Sequence, residues 1–262
     1  MLFGPKSKDL AGWETWLGVP HPTVTGIDMP KNAKGAYTDA VGLNKDPKQV
    51  YSVVTIDGGA AIRVSGEIFG AFTSLEEFEN YHLRFEYKWG EKKWAPKDQA
   101  RRDSGLLYHC IGEHGAHSPS TKLWMQSLEC QVQEHDTGDF WSVQNVMVDF
   151  TGVAAGKDFA FKKGGQPFTA GAPGGNQRIL RSVEADKLTG WNSVEVLTLG
   201  GTSVHVVNGK VNMVLTNPRY RVGDKDVPLT KGKLQFQSEG AELYYRAIAI
   251  RPITAFPAKY RP

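Results

Sequence analysis

From Tyr81 to Trp89 the chain alternates without a break. Tyr81, Leu83, Phe85, Tyr87 and Trp89 fall on one parity, and His82, Arg84, Glu86 and Lys88 on the other. A period of two with aromatic residues on one side predicts a half-buried strand. The stretches "SGLLYHC" (104–110), 127–133, "SVEVLTL" (193–199) and "SVHVV" (203–207) read the same way, with Gly200-Gly201 between the last two. Asn208-Gly209 then turns the chain into "KVNMVL" (210–215). Residues 232–240 and 241–252 form a final pair joined around Gly240. Helical signals are scarce. Residues 74–81 predict one short turn, with Ser74 as cap and Glu77 three residues on. Residues 151–190, rich in Gly, Lys and Ala, read as a long loop or an excursion over one edge of a sheet. Many short strands with Gly-rich turns predict an all-β fold. At 262 residues the expectation is one domain (1–262), a two-sheet jelly-roll sandwich. Each sheet then turns one face to the core and one to water.

The strand at 127–133 has the most unusual polar face. Ser127, Glu129, Gln131 and Gln133 share one parity, against Leu128, Cys130 and Val132. It runs into a turn holding Glu134, Asp136 and Asp139, closed by Phe140-Trp141. If strand 104–110 is its antiparallel neighbour, one register sets Cys110 opposite Cys130 and His109 opposite Gln131, with Glu129 a diagonal step away. Gly105 adds no side chain to that face. An imidazole, a carboxylate and amides around an open patch describe a sugar-binding cleft; a merely solvated sheet face is the simpler alternative.

Composition narrows the picture. Net charge is +3, with no basic tract of the kind that grips nucleic acid or a membrane surface. No run of about 18 apolar residues predicts a membrane span, and the N-terminal residues lack the apolar core of a secretion signal. Two cysteines in so long a chain exclude a disulfide-built scaffold and leave open whether the two pair. His109, His114 and His117 match no zinc spacing, and the acids after Gln133 do not fit an EF-hand loop, though such a turn could hold Ca²⁺. The P-loop, GxSxG and HExxH motifs are absent, and no nucleotide cofactor is expected. The basic loop 88–105, interleaved with Trp89 and Trp94, reads as a solvated loop or an anion grip. A laminarinase-type E-x-D-x-x-E run has its nearest match in Glu129, Gln131 and Glu134, where the middle acid is an amide.

Several blocks, in order, carry a family likeness: "LFGPKSKDLAGW", "FENYHLRFEYKW", "RDSGLLYH", "LECQVQEHDTGDFW", "WNSVEV", "VHVVNGK" and "GKLQFQSEGAELYYRAIAI". Together they span nearly the whole chain, which resembles the bacterial 3-keto-disaccharide hydrolase family. The resemblance implies a concanavalin A-like jelly roll and chemistry on a glycoside oxidised to a ketone at C3. It also implies export, to the periplasm in many relatives. Glu129, Gln131 and Arg246 fit the family pattern. Asp103 stands where relatives carry Asn, His109 where they often carry Arg, and Glu239 near a position often held by His.

A C3 ketone acidifies the C2 hydrogen, and the resulting enolate expels the C1 substituent. That elimination needs a base and a positive group at the enolate oxygen. The expected catalytic residues are His109, Glu129 and Arg246, with His109 or Glu129 as base. Asp103, Gln131, Trp141, Gln237 and Glu239 are expected to contact the carbohydrate, Trp141 as a stacking platform. A divalent metal (Ca, Mn or Zn) held by His109, Glu129 and Glu134 is the competing source of positive charge. The rival function is a non-catalytic carbohydrate-binding module.

Overall fold

The computed structural model describes residues 1–116 and 118–262. The chain forms β1 (Trp13–Leu17), β2 (Gly42–Leu43), β3 (Tyr51–Ile56), β4 (Gly59–Val64), β5 (Gly70–Ser74), β6 (Phe78–Glu79) and β7 (Tyr81–Lys93). Next come β8 (Asp103–Ile111), β9 (Gln126–Gln133), β10 (Phe140–Val143), β11 (Met147–Ala155), β12 (Asp158–Phe161), β13 (Gln166–Ala170) and β14 (Arg178–Leu180). The last are β15 (Asn192–Leu199), β16 (Thr202–Val207), β17 (Lys210–Val222), β18 (Lys225–Pro228), β19 (Lys231–Ser238) and β20 (Ala241–Pro252).

Pairing arranges them as the expected two-sheet jelly-roll sandwich. The front sheet runs β2-β1-β5-β19-β8-β9-β10-β14. The back sheet runs β3-β4-β20-β7-β15-β16-β17-β11-β13. Along one edge β12 joins them, antiparallel to β11 and parallel to β14. The 151–190 excursion is therefore strand-bearing: it completes β11 and contributes β12 to β14. The short helical turn expected at 74–81 does not form. Ser74 ends β5, and its hydroxyl accepts from Leu234 N and donates to Glu76 O, so it serves the sheet instead of capping a helix.

Alternation decides which side chains meet between the sheets. Phe72 and Phe236 from the front sheet stack at 4.9 Å, and Phe85 and Tyr245 from the back sheet meet Phe236 edge-on at 5.0 Å each. Such offset and edge-to-face contacts are the favoured geometries of aromatic rings. Leu106, Tyr108, Leu128, Cys130, Val132 and Phe140 extend this layer. The outer face of the back sheet is covered in part by the C-terminal segment, where Tyr260 packs with Leu197, Val204 and Val206 and donates to Glu195.

The register between β8 and β9 departs from expectation. Gly105 pairs with Gln131, Leu106 with Cys130 and Leu107 with Glu129, after which the register slips past Tyr108. His109 takes up the slip with φ +53°, a left-handed conformation. Gly232 of β19 makes room: a Cβ there would fall 2.5 Å from the His109 carbonyl carbon. One extra residue reverses the parity of the positions beyond it. His109 therefore turns into the sandwich, against Tyr81 and Tyr108. Cys110 turns out toward Ala71, Leu107, Trp124 and Met125. The two cysteines do not face each other, and both are free thiols.

Candidate functional site

Before the bulge, the period of two holds, and it builds one polar patch on the outer face of the front sheet. β8 contributes Asp103 and Gly105, β9 Glu129 and Gln131, β19 Gln237, and β10 Trp141, which pairs directly with Glu129. Gly105 is the centre. A Cβ placed on it would lie 2.3 Å from both Glu129 Oε1 and Gln237 Oε1, so those side chains close over the bare backbone and no other residue fits there. Asp103, Glu129, Gln131 and Gln237 are all buried. Asp103 Oδ1, Gln237 Oε1 and Trp141 Nε1 are buried atoms with no partner among the described residues. An unmet buried polar atom costs about 1–3 kcal/mol. Three such atoms belong to residues of this patch, and sugar hydroxyls are suitable partners for them.

Charge concentrates at the same place. Lys97, on the loop between β7 and β8, places Nζ 2.5 Å from Glu239 Oε1 and in contact with Asp103 Oδ2. Burial pushes the Glu129 carboxyl well above its ordinary range, and Glu239 and Asp103 nearby push it further, against Lys97. Burial and Asp103 raise Glu239 to about 7, again opposed by Lys97. Burial also raises Asp103, with Lys97 opposing. For Lys97, burial works against the charge, but Glu239 and Asp103 outweigh it and hold the ammonium above its ordinary value. Acids with displaced proton affinities around one ammonium form an arrangement suited to proton transfer.

Three residues expected at this site lie elsewhere. His109 is in the interior, 2% exposed, with Nδ1 3.2 Å from Leu229 O; burial lowers it to about 4, so it stays neutral. Arg246 lies on the outer face of the opposite sheet, where Nε donates to Glu86 at 2.8 Å and the guanidinium stacks on Trp191 at 3.7 Å. Glu134 is held by Arg102 through its backbone N–H, at 2.8 Å, and its guanidinium, at 2.5 Å. His109, Glu129 and Glu134 therefore do not converge, and as a set they do not fit a shared divalent cation. The acids after Gln133 are likewise engaged: Arg178 and Arg181 each reach both Asp136 and Asp139, and Arg101 reaches Asp136. Among the described residues no group of three or more His, Cys, Asp or Glu could hold a metal ion. His114 is half-buried: it stacks on Trp16 and bonds Glu14 at 3.0 Å. His117 lies outside the described residues.

Asp103, Glu129, Gln131, Trp141, Gln237 and Glu239 are brought together. Sequence reasoning missed Lys97, although the loop carrying it reads as a possible anion grip. It also missed Arg178, whose guanidinium lies 5.3 Å from the Trp141 ring.

The fold and this patch define a carbohydrate-active jelly-roll protein. The chain belongs to the family described as the 3-keto-alpha-glucoside-1,2-lyase-like domain, whose model matches residues 2–251. Among solved structures, it is similar to a candidate glycosyl hydrolase from Parabacteroides distasonis, with 16% identity, 94% of this chain and 90% of that one covered, and a TM-score of 0.49. A β-glucanase from Bacillus licheniformis aligns at 10% identity over 95% and 94% of the two chains, with a TM-score of 0.43. A carbohydrate-binding module, CBM66 from Bacillus subtilis, aligns at 9% identity over 77% and 91%, with a TM-score of 0.42. No curated protein matches the chain.

Proposed function

We propose that the chain cleaves 3-keto-glycosides by elimination across C1 and C2. The observation that carries this reading is the convergence of Glu129, Glu239 and Asp103 on one buried patch, with their proton affinities raised by burial and by one another. Membership of a family described as 3-keto-alpha-glucoside-1,2-lyase-like supports it. Glu239, with a proton affinity near neutrality, is the base that takes the C2 proton; general bases work best when matched to the working pH. The C–H electrons form the C2–C3 enolate. As the ketone re-forms, the C1–O bond breaks and its electrons leave with the aglycone oxygen. Glu129, whose carboxyl burial biases toward its protonated form, gives that oxygen its proton. The products are the free alcohol and a conjugated enone, and water adding to the enone completes a net hydrolysis. Gln131 and Gln237 hold hydroxyls of the ring, and Trp141 offers it an apolar face.

The test compares a 3-keto-glucoside with its unoxidised parent. The wild-type chain is expected to release aglycone from the ketone alone. Glu129→Gln is expected to lower that turnover by about 10²–10⁴-fold while leaving the thermal midpoint unchanged or higher, since the amide removes a buried acid without changing shape. Equal cleavage of ketone and parent removes the elimination reading. Sugar binding without turnover returns the protein to the binding-module class.

A further inference from the structure

An enolate forming at C3 needs a positive partner, and Arg246 is on the wrong sheet to supply it. We propose that Lys97 is a catalytic residue whose ammonium holds the C3 oxygen of the substrate as charge develops there. The assignment rests on the elimination reading and deepens it.

Four observations carry it. Lys97 Nζ contacts Asp103 and Glu239, the latter being the proposed base, so its charge sits within one side chain of the proton to be moved. An ammonium has three N–H donors. Two go to these carboxylates, and among the described residues the third has no hydrogen-bond partner. The Lys97 side chain is 27% exposed, whereas the Asp103 side chain is 5% exposed, so Lys97 is the more open member of the pair to an incoming ligand. The chain also builds a seat for the residue. Lys97 N donates to Trp94 O, and the Trp94 indole is anchored on Ser65 O. Gly240, at φ +82°, leaves its face bare, where a Cβ would fall 2.9 Å from Lys97 Cβ. A surface lysine tied only by a passing ion pair needs none of this.

The chemistry comes from the charge. In the ground state the ketone oxygen is neutral and accepts one hydrogen bond from Lys97. In the enolate it carries a full negative charge, and a fixed ammonium in a partly dry site stabilises it far more than it stabilises the ketone. The flanking carboxylates keep Lys97 protonated, so it acts through its charge and not as an amine attacking the ketone. No imine forms in this scheme.

The experiment uses the full chain and a 3-keto-glucoside. Lys97→Met is expected to lower kcat by about 10²–10³-fold with KM changed less than about threefold, the range seen when one oxyanion donor is removed. Lys97→Arg, which keeps the charge and both ion pairs, is expected to stay within about tenfold of wild type. Borohydride added during turnover is expected to leave Lys97 unlabelled. The proposal is overturned if Lys97→Met keeps kcat within about threefold, if its loss is confined to KM, if a well-folded Lys97→Arg is as inactive as Lys97→Met, or if a reduced adduct appears on Lys97. Should Lys97→Met not fold, Lys97→Arg and the borohydride result decide. A wild-type chain inert toward the ketone instead sinks the elimination reading itself; an active wild type indifferent to Lys97 sinks only this assignment.

Discussion

The two outer faces of this sandwich come from the same alternating pattern and end in opposite states. On the back sheet, charge is closed in pairs: Arg246 with Glu86, Arg63 with Glu242, His82 with Glu195, Lys88 with Asp57. On the front sheet, Asp103 and Glu239 share the one ammonium of Lys97 while Glu129 stands beside them, and buried atoms of Asp103, Gln237 and Trp141 go unpartnered. The difference teaches how to separate scaffold from site among polar residues of equal standing in the sequence. A matched pair is complete without a ligand. A patch with surplus acid and unmet donors and acceptors is not, and such a patch persists at a cost to stability.

Experiments that alter one face at a time break or sharpen that contrast. The largest further effect is expected from Glu239→Gln, which should reduce turnover of a 3-keto-glucoside by at least about a hundredfold. In the wild type kcat/KM should rise with pH through about 7, as Glu239 loses its proton; in the variant that limb should vanish. Stability should show the opposite trend. Burial raises these carboxyls above their unfolded value of about 4.3, so the folded chain binds more protons than the unfolded chain between that value and the folded ones. Their contribution is therefore greatest at low pH and declines as pH rises through about 7. Melting curves at about pH 5 and about pH 8 should reveal this decline, and Glu239→Gln should flatten it. An unchanged pH profile would remove Glu239 as base.

Next in size is His109→Ala, which should lower stability by about 2–4 kcal/mol in denaturant titration, because it empties a buried site between Tyr81 and Tyr108. Turnover per folded molecule should hold. Lost activity in a stable variant would return His109 to the mechanism. The smallest effect is expected from Arg246→Met on the back face. Breaking its pair with Glu86 should cost about 1 kcal/mol or less and leave turnover within about twofold. A large loss of activity there would erase the distinction between the faces.

Where period two ran unbroken, the sequence was readable to the level of single side chains. β7, β9 and β15 lie where alternation put them, and Gly105, Glu129 and Gln131 share the face that parity predicted; β20 has its expected span but pairs with β4 and β7 in the back sheet instead of with β19. His109 was misplaced because a bulge adds one residue without any composition signal; the structure records it as a register slip past Tyr108 and a left-handed backbone at a non-glycine position. Arg246 was misplaced for a different reason. Alternation tells which residues point outward, but not which of two sheets a strand joins. Lys97 was missed because a loop has no periodicity, and its value comes from where β8 and β19 put their acids. The helical turn at 74–81 does not form because Ser74 is in the sheet, paired with Trp13, and its hydroxyl accepts from Leu234 N.

The single-residue slip in β8 has one more effect. It leaves Cys110 on the outside of the front sheet and Cys130 beneath it, with the thickness of a β-layer between the two sulfurs. No internal crosslink joins them without unravelling that strand. Transfer between a reducing and an oxidising compartment should therefore leave the folded chain's melting behaviour alike in either setting.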